Sequence, residues 1–163
     1  MRIRRIRVQK RRFLALLLVG DEDERMVERY LDRGSLYVLY KAGRPCAVAV
    51  VTDEGEGVLE LKNLAVAPAL QRHGLGRFLI GFLERRYRGS FHTLLAGTGE
   101  SEATLGFYRR LGFVYSHRVQ DFFTLNYPHP IVEGGTVLRD MVYLKKSLIC
   151  KTPRRRGFQR SVP

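Results

Sequence analysis

Leu64-Ala65-Val66-Ala67-Pro68-Ala69-Leu70-Gln71-Arg72-His73-Gly74-Leu75-Gly76 is the stretch whose reading decides the fold. It begins in the β-rich run Val58 to Val66 and passes a proline. It then enters Gly74 to Tyr87, where Leu75, Phe78, Leu79, Phe82 and Leu83 recur at helical spacing before Gly89 stops the pattern. A strand therefore runs into a helix through Gln71-Arg72-His73-Gly74-Leu75-Gly76. The first N–H groups of a helix have no intrahelical partner, and the helix dipole favours negative charge there. Glycines at 74 and 76 let an anion approach the backbone with no Cβ in the way. Arg72, His73 and Arg77 add positive or titratable character, so a pyrophosphate is the natural guest. Two other nucleotide motifs fail. A P-loop needs Lys-Ser/Thr after its last glycine, where Arg77-Phe78 stands, and the dinucleotide fingerprint needs a third glycine.

Working outward, Val58 to Val66 alternates, with Val58, Glu60, Lys62, Leu64 and Val66 expected on one face and Leu59, Leu61, Asn63 and Ala65 on the other. Before it, Ser35 to Tyr40 and Cys46 to Thr52 are strands joined by the turn Lys41 to Pro45. Ile3, Ile6 and Val8 mark an opening strand. Phe13 to Val19 reads as a short helix, and Asp21 or Asp23 caps a second that Gly34 ends in a left-handed conformation. After the central helix, Phe91 to Ala96 is a strand, Ala103 to Leu111 a helix ended by Gly112, and Phe113 to Val119 a strand. Gln120 to Thr136 is read as a long irregular stretch, Val137 to Leu144 as the last strand, and residues 147–163 as a basic tail after a single domain of residues 1–146. Alternating strands and helices make part of the sheet parallel and cover it on both faces.

The 163 residues suit one domain. The apolar run Phe13 to Val19 is too short to span a membrane and is followed by acidic residues, not a signal-peptide cleavage site. A cytoplasmic protein without a membrane partner is expected. Cys46 and Cys150 have no metal-ligand spacing and read as incidental thiols, so no metal is expected. The net charge of +13 sits mostly at the ends, in Arg2 to Arg12 and Lys151 to Arg160, leaving the middle close to neutral. Basic ends can attract RNA, an anionic membrane surface or a polyanionic cofactor. They lie outside any aromatic-interleaved nucleic-acid motif, so an RNA- or ribosome-associated role is an alternative and not the favoured reading.

Gln-x-x-Gly-x-Gly after a strand, followed about thirty residues later by Phe107-Tyr108-Arg109-Arg110-Leu111-Gly112-Phe113, resembles the GNAT superfamily of acyl-CoA-dependent N-acetyltransferases. The resemblance covers Ser35 to Val119. It implies an α/β (α+β) fold with a mixed, partly parallel central sheet of about six to seven strands and helices on both faces. It also implies acetyl-CoA as co-substrate, held by main chain of Leu64, Ala65 and Val66 and by amides of Gln71, Arg72, His73, Gly74, Leu75, Gly76 and Arg77. Tyr108 is then the general acid that protonates the leaving thiolate, since a phenol with its usual pKa of about 10 is protonated at neutral pH. Glu60, eleven residues before Gln71, has the spacing of a base found in several relatives; an ion pair with Lys62 on the same face is the competing reading. Where such enzymes often carry an asparagine seven residues before the tyrosine, this chain has Ser101, so Thr98, Ser101 and Thr104 stand in as partners for the cofactor arm.

Phe122-Phe123-Thr124-Leu125-Asn126-Tyr127, with Glu133 beyond, is read as a lid or acceptor wall. Aromatic faces with a carboxylate suit a cationic amine, and Phe122, Phe123, Asn126, Tyr127 and Glu133 are its expected contacts. The acceptor would be a primary amine of a small molecule or protein, acetylated in a ternary complex by a monomer or homodimer. A CoA-binding regulator without catalysis is the other alternative.

Overall fold

Strand β4 (Val58–Val66) lies near the middle of a seven-stranded sheet. The structure is a computed structural model and describes residues 1–149. The other strands of the sheet are β1 (Arg2–Ile6), β2 (Ser35–Lys41), β3 (Arg44–Asp53), β5 (Thr93–Gly99), β6 (Val114–Val119) and β9 (Met141–Ser147), in the order β1-β2-β3-β4-β5-β9-β6. Neighbours are antiparallel except β4 and β5, which are parallel. This is the mixed sheet expected from the sequence. Ala42 and Gly43 both take positive φ, 48° and 77°, which makes the tight hairpin between β2 and β3.

Helices cover both faces. On one, α3 (Leu75–Tyr87) and α4 (Glu102–Arg110) bury Leu79, Leu83 and Leu105 against Leu59, Leu61, Leu94 and Leu144. On the other, α1 (Leu14–Gly20) and α2 (Glu24–Leu31) bury Leu17, Val27 and Leu31 against Leu36, Val38, Val48 and Val50. Asp23 is the N-cap of α2, accepting from the Arg25 N–H at 2.9 Å. Gly34 corrects the expectation of a left-handed stop: it is absent from the positive-φ glycines, and a Cβ there would lie 2.6 Å from Val50 Cγ1 and 2.7 Å from the Tyr30 carbonyl. Glycine is needed at 34 for close approach of α2 to β3.

The expected alternation of β4 also fails, for a stated reason. Asn63 pairs with Val50 and Leu61 with Val51, so Lys62 is an extra residue with no partner on β3. Such a bulge reverses which face each following residue takes. Leu59 and Leu61 therefore share their core with Leu64 and Val66, while Ala65 joins the opposite one.

Pairing of β4 with β5 runs only from Val58 opposite Thr93 to Leu61 opposite Ala96. Beyond that, β4 stays with β3 up to Val66 and β5 stays with β9 up to Gly99. The two central strands thus splay from Lys62 and Gly97 onward. The stretch expected to be irregular is ordered: α5 (Phe122–Asn126) is followed by a hairpin of β7 (Val132–Glu133) and β8 (Thr136–Val137). Gly134 and Gly135, at φ 55° and 80°, form its turn. The last strand begins at Met141 and not Val137, and Leu148 beyond it is buried, its N–H donating to the His92 carbonyl at 2.9 Å. Cys150 and the basic cluster Lys151 to Arg160 lie outside the described residues.

Candidate active site

The splay between β4 and β5 opens a cavity of about 340 Å³, within the usual range for small-molecule sites. Its floor is the diverging main chain of Leu61 to Leu64 and Gly97 to Gly99. Thr104 and Tyr108 enter from α4, Phe123 and Tyr127 from α5 and the residue after it, Glu133 from β7, and Val19 to Glu22 from the end of α1. Chain segments far apart in sequence thus meet at one place because two strands stop pairing.

At one end of this opening, α3 begins. Gly74 is its N-cap at φ 79°, with open space where a Cβ would stand. Arg72 is also left-handed, at φ 63°. Gln71 Nε2 donates to the Val66 carbonyl at 3.1 Å, which ties the loop to the end of β4. Gln71, Arg72, His73, Gly74 and Arg77 are exposed, so the first turn of a 13-residue helix faces outward beside the splay. That is a cradle for an anionic group. Gly76 has a different reason: a Cβ there would lie 3.3 Å from Phe107 Cζ and 3.7 Å from Leu64 Cδ2. There α3, α4 and β4 meet closely.

Tyr108 is buried, its ring set edge-on between Phe107 (5.1 Å) and Phe113 (5.2 Å). Its hydroxyl has no hydrogen-bond partner among the described residues. Burial, and then the charge of Glu133, hold the phenol protonated well above its usual range. Glu133 in turn accepts from the Thr104 hydroxyl. Ser101, expected as a partner for a cofactor arm, is the N-cap of α4: its Oγ accepts from the Thr104 N–H at 3.3 Å and donates to Thr104 Oγ1 at 3.0 Å. Thr98 lines the cavity, whereas Ser101 does not.

Glu60 is buried and accepts from Lys62 Nζ at 2.9 Å. Lys62, the bulged residue, lines the cavity, and Glu60 stands behind it. Of the expected acceptor contacts, Phe123, Tyr127 and Glu133 line the cavity and Phe122 and Asn126 do not. Asn126 Oδ1 instead accepts from Arg29 Nη1 at 3.1 Å, fastening α5 to α2.

Sequence reasoning missed Asp21 and Asn63. Asn63 is 3% exposed, and its Nδ2 donates to the Leu17 carbonyl (3.0 Å) and Tyr30 hydroxyl (2.9 Å). The Tyr30 hydroxyl passes on to Asp21 Oδ2 (3.5 Å), and Tyr127 donates to Asp21 Oδ1 (2.9 Å). Burial pushes the Asp21 carboxyl up from its ordinary range. A polar residue in mid-strand was the available signal for Asn63; Asp21 resembled an ordinary helix cap.

A sheet splayed at its two central strands, a helix N-terminus beside the end of β4 and a buried tyrosine in the cavity lining form an arrangement that suits an acyl-CoA-dependent transferase. The description of one family, acetyltransferase (GNAT) domain, matches residues 32–115. An uncharacterised N-acetyltransferase of Bacillus subtilis (strain 168), YvbK, is 33% identical over 131 residues, covering 79% of this chain and 84% of that protein. A GNAT family acetyltransferase from Elizabethkingia anophelis, solved with acetyl-CoA bound, superposes with a TM-score of 0.85 at 28% identity, covering 90% of this chain and 97% of the other. An IAA acetyltransferase from Bacillus cereus superposes at 0.82 with 32% identity, covering 90% and 98%. The chain belongs to the GNAT acetyltransferase family and is an N-acetyltransferase.

Proposed function

We propose that this enzyme transfers an acetyl group from acetyl-CoA directly to a primary amine, both bound together in the splay of β4 and β5. One observation carries the reading: β4 and β5 stop pairing after Leu61 and Ala96, Tyr108 lines the cavity between them, and the first turn of α3 packs beside Leu64 at the edge of that cavity. The residues fit the donor. Amides from Arg72 to Arg77 receive its pyrophosphate, and main chain of Leu64 and Ala65, unpaired on the β5 side, receives its amide-bearing arm as an added strand would be received. Bound there, acetyl-CoA supplies the activated acyl group.

The remaining work falls to the chain. Amides at the end of β4 polarise the acyl carbonyl as fixed donors. Glu60, paired with Lys62 and outside the cavity lining, takes the proton of the amine through water. Tyr108 gives its proton to the departing sulfur; an elevated pKa keeps that proton in place at neutral pH. Thr98 and Thr104 offer hydroxyls beside the donor arm, and Phe123, Tyr127 and Glu133 close the acceptor side. Among the described residues no helix is long and apolar enough to cross a membrane, and the reading places the enzyme in the cytoplasm with its donor. The test is incubation with acetyl-CoA and a panel of primary amines, following thiol release and the mass of the product. Acetylated amine with stoichiometric free CoA is expected. CoA-dependent thermal stabilisation with no acetyl transfer to any amine class would refute the enzyme reading in favour of a CoA-binding regulator.

A further inference from the structure

The acceptor wall of the cavity carries carboxylates that no cation among the described residues neutralises. Asp21, Glu22 and Glu133 all line it, and among the described residues none of the three lies within ion-pair distance of a lysine, arginine or histidine. Lys62, the one cationic side chain in the lining, is committed to Glu60. Asp21 and Glu133 are both half-buried, and Asp21 is held by neutral donors, the hydroxyls of Tyr127 and Tyr30 and the N–H of Asp23.

Asn63 points to a ligand independently. It is 3% exposed and lines the same cavity. Its two N–H groups are spent on Leu17 and Tyr30, and its Oδ1 has no partner among the described residues. Buried acceptors without donors are costly unless a donor arrives, and a shielded carboxylate without a cation is costlier still. The wall formed by Gly20, Asp21, Glu22 and Asn63 offers acceptors, its tyrosine protons being already used.

We propose that Asp21 anchors a second cationic group of the acceptor, so that the substrate class is a diamine or larger polycation, acetylated at one nitrogen and held by another. In the acetyl-transfer reading above the reacting nitrogen gives its proton to Glu60 through water, which leaves Asp21 for a cation that keeps its charge. The cation that Asp21 receives is therefore not the nitrogen being acetylated. Tyr127 and Tyr30 aim the carboxylate, and the stacked rings of Phe123 and Tyr127, 5.5 Å apart, flank the path of the connecting chain. This inference rests on the acetyl-transfer reading above.

Calorimetric titration of the CoA-saturated enzyme with putrescine and with butylamine tests it, because the two differ by the second ammonium. The wild type is expected to bind putrescine at least about tenfold more tightly, as a hydrogen bond to a charged group warrants. Asp21→Asn should abolish that preference while leaving CoA affinity unchanged. Equal affinity for the two amines in the wild type, or a full preference surviving in Asp21→Asn, overturns the proposal. Should Asp21→Asn not fold, Tyr127→Phe, which removes the closer donor to Asp21, is expected to reduce the preference, and no reduction counts against it. Diamine preference without acetyl transfer would sink the enzyme reading and leave the Asp21 site standing; transfer without preference would do the reverse.

Discussion

Replacing Tyr108 by phenylalanine removes one oxygen and should separate chemistry from binding. The ring contacts with Phe107 and Phe113 remain. The hydroxyl has no hydrogen-bond partner among the described residues, so its removal orphans no buried group. The stability change should therefore stay below about 1 kcal/mol. The surfaces expected to hold CoA, the α3 N-terminus and the free edge of β4, are untouched, so CoA affinity should match the wild type. The loss should fall on turnover. General acid catalysis is worth roughly 100- to 10,000-fold, or about 2.7–5.5 kcal/mol in the barrier. Thiol release under saturating acetyl-CoA should then drop by at least about 100-fold. The pH profile adds a second check. Burial and Glu133 raise the phenol's pKa, and deprotonation is what ends its service as an acid. Wild-type activity should accordingly persist on the alkaline side beyond the ordinary tyrosine value of about 10. Turnover of Tyr108→Phe within about threefold of wild type, with the same alkaline limb, would refute the acid role.

Three further perturbations address other parts of the site. Glu60→Gln removes the proposed base and leaves Lys62 without its partner. A turnover loss of at least about tenfold is expected; an equal loss in Lys62→Met would mean that only the pair matters. Gly74→Ala forces a side chain into φ 79° although space is free, so backbone strain of about 1–2 kcal/mol should lower Tm by about 2–8 °C. Asp23, with its carboxyl pulled down to about 2 chiefly by hydrogen bonds from Arg25, stabilises the fold above the unfolded carboxyl's pKa of about 3.9. That contribution is lost as pH falls from there toward 2. The Tm difference between wild type and Asp23→Asn should be present at pH 7 and close over that window; a gap that persists at pH 2 would contradict it.

Local chemistry was legible where it is written in local pattern. The 3.6-residue spacing from Leu75 to Leu83, the glycines of the Gln71 to Gly76 loop and the Phe107 to Phe113 motif each carry their meaning within one element, and the family follows from them. The register of β4 was not legible, because the extra residue at Lys62 is defined only by its partner strand; Val58 to Val66 alternates without a break in the sequence. Gly34 and Gly76 looked like backbone devices and proved to be contact points between elements. Ser101 read as a ligand partner and acts as a helix cap.

By itself the sequence determined the fold class and the family, since strand–loop–helix periodicity and short motifs are short-range properties. Only the tertiary structure decided which residues line the cavity. Asp21, Asn63, Tyr127 and Glu133 are brought together because β4 and β5 stop pairing after Leu61 and Ala96 and the chain closes around the gap from four directions. An unpaired carboxylate is a fact about what surrounds it, and no spacing along one chain records its surroundings.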